Sequence, residues 1–227
     1  MTRKKKQRKS KILNRRDKRI AEELIGKMQG PVAVYIDAAN LEKSVQALGL
    51  IPPRRFKKDM SWKADRNLWR VEHKKLRKFF EKNTKLSGVS FYTARFGTKS
   101  HESFLTFLKN NGYRLVTKPV KTILGRGRTI TCEHCGYKNK IPDERKADFD
   151  VEISVDAVNW MKYYETFVLF SGDSDFVYLI QFLKRHGKKI IVLSRRGHVA
   201  YELRTSRDVD YYQDIWKLRN QFLEKSS

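Results

Sequence analysis

The sequence has few of the features that stabilise secreted or membrane-spanning proteins. It holds only two cysteines among 227 residues, so it offers no framework of disulfide bonds. No apolar stretch approaches the roughly 20 residues that a membrane-spanning helix requires. The basic N-terminus is not followed by the apolar segment of a secretory signal. These absences predict an intracellular, cytoplasmic protein that does not bind a membrane.

Acidic residues are scarce as well, with 25 Asp and Glu against 50 Lys and Arg and a formal net charge of +25. This balance favours a phosphate-rich partner, because each neutralised phosphate releases counterions. The first twenty residues contain eleven Lys or Arg and a single acid, Asp17. Such a block repels itself and lacks apolar residues, so we assign residues 1–18 to a disordered basic arm. An arm that binds nucleic acid, a nuclear targeting segment and a ribosome-binding tail all fit this composition.

The remaining apolar segments alternate between strand and helix patterns, which predicts one α/β domain with a central parallel sheet. We expect a helix over 19–30 to precede it. The predicted strands are 32–36, 89–93, 113–116, 166–170, 190–193 and 208–211. The predicted helices are 40–48, capped by Asn40, and then 66–83, 102–110, 148–163, 175–185, 198–204 and a terminal helix that ends over 217–227. Residues 118–145 break the alternation, and we predict a small inserted hairpin that contains the cysteines.

Aspartates stand next to these apolar runs at three separate places. Asp37 ends the first strand, Asp173 and Asp175 follow the fourth, and Asp148 and Asp150 open the helix after the insertion. The carboxyl ends of parallel strands share one edge of a sheet, where such folds bind ligands. Each aspartate alone would serve as a helix cap or turn residue, but capping gives no reason for acids to meet from three segments. Because neighbouring carboxylates repel one another without a cation, we predict a divalent-metal site.

Four short motifs resemble the NYN domains, and more closely their LabA-like (DUF88) branch within the PIN-like nuclease superfamily. They appear in the family's order across residues 31–216, and the motif Ser-Gly-Asp-Ser-Asp-Phe is the most specific of them. The motifs are Ile36-Asp37-Ala38-Ala39-Asn40-Leu41, Lys146 with Asp150-Val151, Ser171-Gly172-Asp173-Ser174-Asp175-Phe176, and Glu202-Leu203-Arg204. The resemblance implies a three-layer α/β sandwich and a ribonuclease that depends on Mg²⁺ or Mn²⁺.

The resemblance also implies roles for individual acids. Asp37 matches the ligand at the tip of the first strand, and Asp150 matches the carboxylate of the later helix. Asp173 and Asp175 match the pair after the fourth strand, so these four residues would be catalytic and would hold the metal. The family pattern has a glycine and an apolar residue before the helix aspartate. Asp148 is therefore an additional acid, and either it or Asp150 faces the metal.

Six side chains are candidates for contact with RNA, two from the resemblance and four from their charge and position. They are Asn40, Ser171, Lys146, Arg95, Arg195 and Arg196. Arginine suits bidentate phosphate contacts, whereas ordinary solvated side chains are the alternative for the basic members. Tyr92 and Phe96 are candidates for stacking on unpaired bases. Asp156 follows Asp150 by six residues, about 120° around the helix, so we expect it to lie behind the site or in solvent rather than on the metal.

The two cysteines form a short motif, Cys132-Glu133-His134-Cys135-Gly136, with the spacing of a zinc knuckle. Structural zinc takes four ligands, and the sequence has no second cysteine pair. His134, another histidine or a second subunit would have to complete the site, and the last case implies a homodimer. Two free thiols are the alternative.

Two functions follow from these residues. The first is a metal-dependent endoribonuclease that hydrolyses RNA phosphodiester bonds, since one or two Mg²⁺ ions on carboxylates supply what that chemistry needs. The second is an RNA-binding regulatory module that keeps the acidic pocket but cuts little or nothing. The presence of all four expected acids favours the first. The choice of RNA over DNA depends on the family resemblance alone.

Overall fold

The computed structural model describes residues 17–46, 69–123, 129–131, 134–140 and 144–225. The strands in these ranges are β1 (Pro31–Asp37), β2 (Trp69–Val71), β3 (Lys85–Arg95), β4 (Arg114–Pro119), β5 (Lys121–Ile123), β6 (Thr129–Thr131), β7 (Lys138–Lys140), β8 (Glu144–Lys146), β9 (Thr166–Phe170), β10 (Lys189–Ser194), β11 (Tyr211–Asp214) and β12 (Leu223–Lys225). Six of them form a parallel sheet in the order β11-β10-β9-β1-β3-β4.

Helices cover both faces of this sheet. They are α1 (17–26), α2 (Ala38–Gln46), α3 (His73–Asn83), α4 (Lys99–Asn110), α5 (Asp150–Asn159), α6 (Val177–Arg185), α7 (Tyr201–Thr205) and α8 (Arg219–Phe222). Short 3₁₀ segments lie at Met161–Tyr163, Ser174–Phe176 and Ile215–Leu218. No helix in the described ranges is long and apolar enough to cross a membrane.

Two hydrophobic cores lie on opposite faces of the sheet. Along β1, Val32, Val34 and Ile36 join the core under α1, α2 and α3, whereas Ala33 and Tyr35 join the core under α5 and α6. A strand buried on both faces must be apolar at every position, which explains the continuous apolar run in the sequence. The three-layer α/β sandwich predicted from the sequence is confirmed.

The segment at residues 69–71 and the C-terminal segment after β10 differ from the prediction. Residues 69–71, expected at the start of a helix over 66–83, form β2 and pair antiparallel with β12. The expected terminal helix is a single turn, α8, and the chain then continues as β12. The last strand of the sheet begins at Tyr211, three residues later than predicted. The sequence could not predict this pairing, because β2 and β12 are far apart along the chain and neither has a periodic pattern of its own.

The first helix begins earlier than predicted, because residues 17 and 18 are helical. Asp17 is buried, and its carboxylate accepts hydrogen bonds from Asn220 at 2.5 Å and from Arg219, with which it also forms an ion pair at 2.9 Å. The part of the basic arm that precedes residue 17 lies outside the described residues.

The insertion contains two antiparallel strand pairs, β5 with β8 and β6 with β7. Cys135 and His134 are exposed in the turn between β6 and β7, whereas Cys132 lies outside the described residues.

Candidate functional site

The site begins where β1 meets α2. Asp37 Oδ1 accepts a hydrogen bond of 3.2 Å from the backbone N–H of Asn40, so Asp37 caps α2. The prediction that Asn40 caps a helix over 40–48 is wrong, because α2 begins at Ala38. Asn40 lies inside the helix, and its Oδ1 accepts a hydrogen bond of 3.0 Å from the backbone N–H of Gly172. The amide of Asn40 therefore joins α2 to the end of β9.

The loop after β9 is held from both sides. The buried Ser171 hydroxyl donates to Asp37 Oδ2 at 3.2 Å and accepts from the Asp173 N–H at 3.2 Å. A Cβ atom on Gly172 would lie 2.7 Å from Ser194 Oγ, closer than real Cβ contacts, so only glycine fits there. Asp173 in turn accepts from the Asp175 N–H at 3.1 Å and caps the 3₁₀ segment that follows. The Ser-Gly-Asp motif thus places Asp173 beside Asp37.

Asp150 lies at the start of α5 and faces this loop. Its pKa is raised to about 6, first by burial, then by the negative charges of Asp173 and Asp37, and then by those of Asp148 and Asp175. Its pKa therefore responds to aspartates from all three predicted segments. Asp148 is exposed, whereas Asp150 is partly buried and is affected more by Asp173 and Asp37 than by its neighbour in sequence.

The pKa of Asp37 is also above its usual value. Burial is the main cause, and the charge of Asp173 adds to it, whereas the hydrogen bonds from Asn40 and Ser171 act in the opposite direction. Asp37 and Asp150 are therefore both less acidic than free aspartate. A cation among these carboxylates would lower both pKa values, because it stabilises the charged forms.

The donor set fits a hard divalent cation, since Asp37, Asp150, Asp173 and Asp175 offer carboxylate oxygens of the kind that Mg²⁺ and Mn²⁺ prefer. In the described part of the chain, however, no three His, Cys, Asp or Glu side chains are placed to hold one ion together. The carboxylates of Asp37 and Asp173 instead accept local hydrogen bonds. Their charges meet at this edge of the sheet, but their oxygen atoms do not converge on one point.

The predicted RNA-contacting arginines have different environments. Arg95 forms two hydrogen bonds with Glu102, at 2.9 and 2.7 Å, and Arg195 pairs with Asp214 at 3.0 Å. Arg196 is exposed and makes no hydrogen bond or ion pair within the described ranges. Lys146 lies in β8 opposite Lys121, and its side chain is outside the described part of the structure.

Tyr92 cannot stack on a base, which corrects the prediction made for it. Its side chain is fully buried, and its hydroxyl donates to Asp156 at 2.8 Å. Asp156 also accepts two hydrogen bonds from Arg114, at 2.7 and 3.0 Å. Asp156 thus lies mostly buried in a network with Tyr92 and Arg114, and sequence spacing gave no signal for this network. Phe96, in contrast, is 49% exposed and remains a candidate for stacking.

Comparison with known proteins agrees with this architecture. The family model of the NYN domain matches residues 31–215. The chain belongs to the NYN domain family. NYN domains are generally hydrolytic nucleases. This NYN domain chain is 28% identical, over 170 residues, to the Low amplitude and bright protein LabA of Synechococcus elongatus, a match that covers 74% of this chain and 84% of that protein.

A solved structure of a protein of unknown function from Vibrio parahaemolyticus is also similar, with a TM-score of 0.58. The match covers 87% of this chain and all of the other, at 18% sequence identity. A likeness at that identity concerns the fold alone, and it supports the three-layer sandwich. The resemblance to LabA-like NYN domains inferred from the motifs is confirmed.

Proposed function

We propose that this NYN domain protein is a metal-dependent endoribonuclease that hydrolyses RNA phosphodiester bonds at the aspartate cluster. The observation that carries the proposal is the meeting of aspartates from three segments. Ser171 joins Asp37 to the loop that carries Asp173, and burial and the charges of both raise the pKa of Asp150 to about 6. A fold gains no stability from repelling acids that meet from three segments, whereas a bound cation would relieve the repulsion and would attract a phosphate.

Asp37, Asp150 and Asp173 would hold Mg²⁺ or Mn²⁺, with the exposed Asp175 at the edge of the site. The bound cation would neutralise phosphate charge and lower the pKa of water. Ser171 orients the Asp37 carboxylate, as the hydrogen bond to Oδ2 indicates. Asp150, whose pKa responds to the charges of Asp173 and Asp37, would hold the cation or align the attacking water.

The surrounding charge would bind the substrate. The chain carries a formal net charge of +25, so the acidic cluster is a small negative region on a strongly basic protein. Basic side chains would attract an RNA backbone to the surface by long-range electrostatics. Cleavage would then take place where the bound strand contacts the carboxylates at one edge of the sheet. The exposed Arg196, just beyond β10, is a candidate for phosphate contact at that edge.

The test is a cleavage assay on single-stranded and hairpin RNA, and on DNA of the same sequence, with Mg²⁺, Mn²⁺ or EDTA. We expect RNA cleavage that requires the metal and is lost in Asp173→Asn. The matched control is Glu22→Gln, whose side chain is 62% exposed and lies on α1, an element that carries none of these aspartates. Unchanged cleavage by purified Asp173→Asn protein would exclude this function.

The second candidate is an RNA-binding regulatory module that retains the acidic pocket without cutting. The absence of three converged ligands among the described side chains favours it. It predicts tight RNA binding in EDTA and no cleavage product with either metal. The same assay, run with a binding measurement on each substrate, distinguishes the two functions.

A further inference from the structure

A large cavity lies between α2, β2, α3 and α4, against the end of β3. Its volume is about 680 Å³, within the range of sites that bind small organic molecules. Rings dominate its described lining, which includes Trp69, His73, Phe91, Phe96, His101 and Phe104. The rings come from β2, the start of α3, the end of β3 and α4, so only the tertiary structure brings them together.

Two histidines in this lining have ring nitrogens without a partner. Nδ1 of His73 and Nε2 of His101 are buried and make no hydrogen bond. Burial lowers the pKa of His73 to about 4, so its imidazole is neutral at physiological pH. A neutral imidazole presents one donor and one acceptor, and a buried polar atom without a partner costs free energy. A ligand with its own donors and acceptors would relieve that cost.

The charges of the lining indicate which part of an RNA strand would enter. The described lining has three glutamates, Glu42, Glu72 and Glu224, and one arginine, Arg70, which already pairs with Glu224 at 2.7 Å. The Glu72 carboxylate accepts hydrogen bonds from the first turn of α3. This excess of negative charge repels a phosphate. An uncharged planar ring, such as a nucleobase, would suit the cavity better, because the lining offers aromatic faces and the polar nitrogens of the histidines.

The cavity lies at the same edge of the sheet as the acids. Ala38, the residue after Asp37, belongs to its lining, as does Thr93 at the end of β3. In the parallel pairing of β1 with β3, Asp37 lies opposite Tyr92, the residue before Thr93. The residues that follow Asp37 and Tyr92 in sequence therefore both line the cavity.

We propose that this cavity binds an unpaired nucleobase of the RNA strand whose phosphate lies at the aspartate cluster. The proposal rests on the proposed function and specifies its substrate class: RNA that is single-stranded next to the cut. Phe96 is the stacking surface, because its ring is half exposed and packs against His101 at a centroid distance of 4.8 Å. His73 supplies polar contact with the edge of the base.

The experiment measures binding rather than cleavage. The full-length protein is titrated in EDTA with a ten-nucleotide oligoadenylate that carries one 2-aminopurine, and with an abasic oligomer of the same length. We expect Phe96→Ala to weaken binding of the oligoadenylate by about fivefold or more, the lower limit for loss of one base–aromatic stack. Binding of the abasic oligomer should change less than twofold.

The matched control is Tyr163→Ala, because Tyr163 is 50% exposed and Phe96 is 49% exposed. Tyr163 lies near the opposite end of β3, where its carbonyl oxygen accepts a hydrogen bond from Ser87. This variant should bind both oligomers like the unaltered protein. An equal loss in both aromatic variants would indicate general surface stacking and would overturn the proposal.

A second variant, His73→Phe, keeps the ring and removes its nitrogens. It should weaken base-dependent binding while the melting temperature stays equal or rises, because an unpartnered buried nitrogen is removed. Unchanged base-dependent binding in this variant would show that His73 has only a structural role.

Cleavage of the same oligoadenylate with Mn²⁺ is measured on each preparation. Cleavage with no dependence on Phe96 or on the base would overturn the cavity proposal and leave the nuclease intact. Base-dependent binding without cleavage would support the cavity and exclude the nuclease. Equal affinity for base-bearing and abasic oligomers would overturn the proposal and assign the cavity to another occupant, such as a segment of the protein itself.

Discussion

The hydroxyl of Ser171 donates a 3.2 Å hydrogen bond to Oδ2 of Asp37 and so joins the ends of two neighbouring strands. Ser171 is fully buried, and no water competes for its hydroxyl. The side-chain oxygen of Asn40 makes a second link, from α2 to the backbone N–H of Gly172 after β9. Together they place Asp37 against the loop that carries Asp173.

Ser171→Ala removes this link and leaves a partly buried carboxylate with one donor fewer. We expect the pKa of Asp37 to rise further, because that hydrogen bond now lowers it. The free energy of unfolding should fall by about 1.5–3 kcal/mol, as for a hydrogen bond to a charged group. Urea denaturation measures the change. Ser174→Ala, at an exposed position in the same motif, should change the stability little, and a similar loss there would contradict this explanation.

In protein without metal, the charge of Asp173 should affect how the free energy of unfolding depends on pH. The folded pKa of Asp150 is about 6, above its usual 3.8, so the unfolded state binds fewer protons between these values. The contribution of Asp150 to the free energy of unfolding is therefore fully present below about pH 4 and is lost as pH rises through about 6. Asp173→Asn should reduce this loss, since Asp173 is the strongest charge acting on Asp150. Thermal melts in EDTA from pH 4 to 7 test it, and an unchanged slope would show that the two carboxylates do not interact.

His73 should produce the opposite pH dependence. Its folded pKa is about 4 and its usual value is 6.5, so the unfolded state binds more protons between them. The contribution of His73 to the free energy of unfolding is fully present above about pH 6.5 and is lost as pH falls through 4. The loss amounts to about 3 kcal/mol. His73→Phe should remove this loss in a denaturation series over that range. An identical loss in the variant would assign the acid sensitivity to other groups.

The basic arm should bind phosphates without sequence preference. Its deletion must spare Asp17, which is buried and paired with Arg219, so the deletion should cover residues 2–16 and remove nine of the eleven early cations. RNA affinity should fall uniformly across sequences. The slope of log K against log salt should flatten by about 0.7 for each phosphate of a single strand that the arm neutralises in the full-length protein. An identical slope would show that the arm does not bind RNA and has another role, such as targeting.

Zinc at the cysteine turn can be tested independently of the aspartates. If Cys132 and Cys135 hold zinc, purified protein should retain it through dialysis, and Cys132→Ser should lose it. His134→Ala should lose it only if His134 is the third ligand. The ratio of zinc to protein, by elemental analysis, distinguishes one ion per chain from one ion shared by two chains. No zinc in protein purified without chelators would leave two thiols.

The sequence by itself was enough to predict the sheet and the position of the acids. The run from Val32 to Ile36 is short, rich in β-branched residues and apolar at every position, as a strand buried on both faces is, and the structure has such a strand. Alternation with helices makes the strands parallel, and parallel strands bring their carboxyl ends to one edge. The approach of Asp37 to Asp173 follows from those two facts and from chain order.

Other features were decided only by tertiary contacts. The side chain of Asn40 can cap a helix or bond to a distant N–H, and the position of Gly172 decides between them. Tyr92 lies inside because Asp156 and Arg114 form a polar network with its hydroxyl on that face. The pairing of β2 with β12, and the cavity at His73, join segments that share no local pattern. Local sequence determines which residues form a strand or helix, whereas hydrogen-bond partners and cavities depend on which distant segments meet.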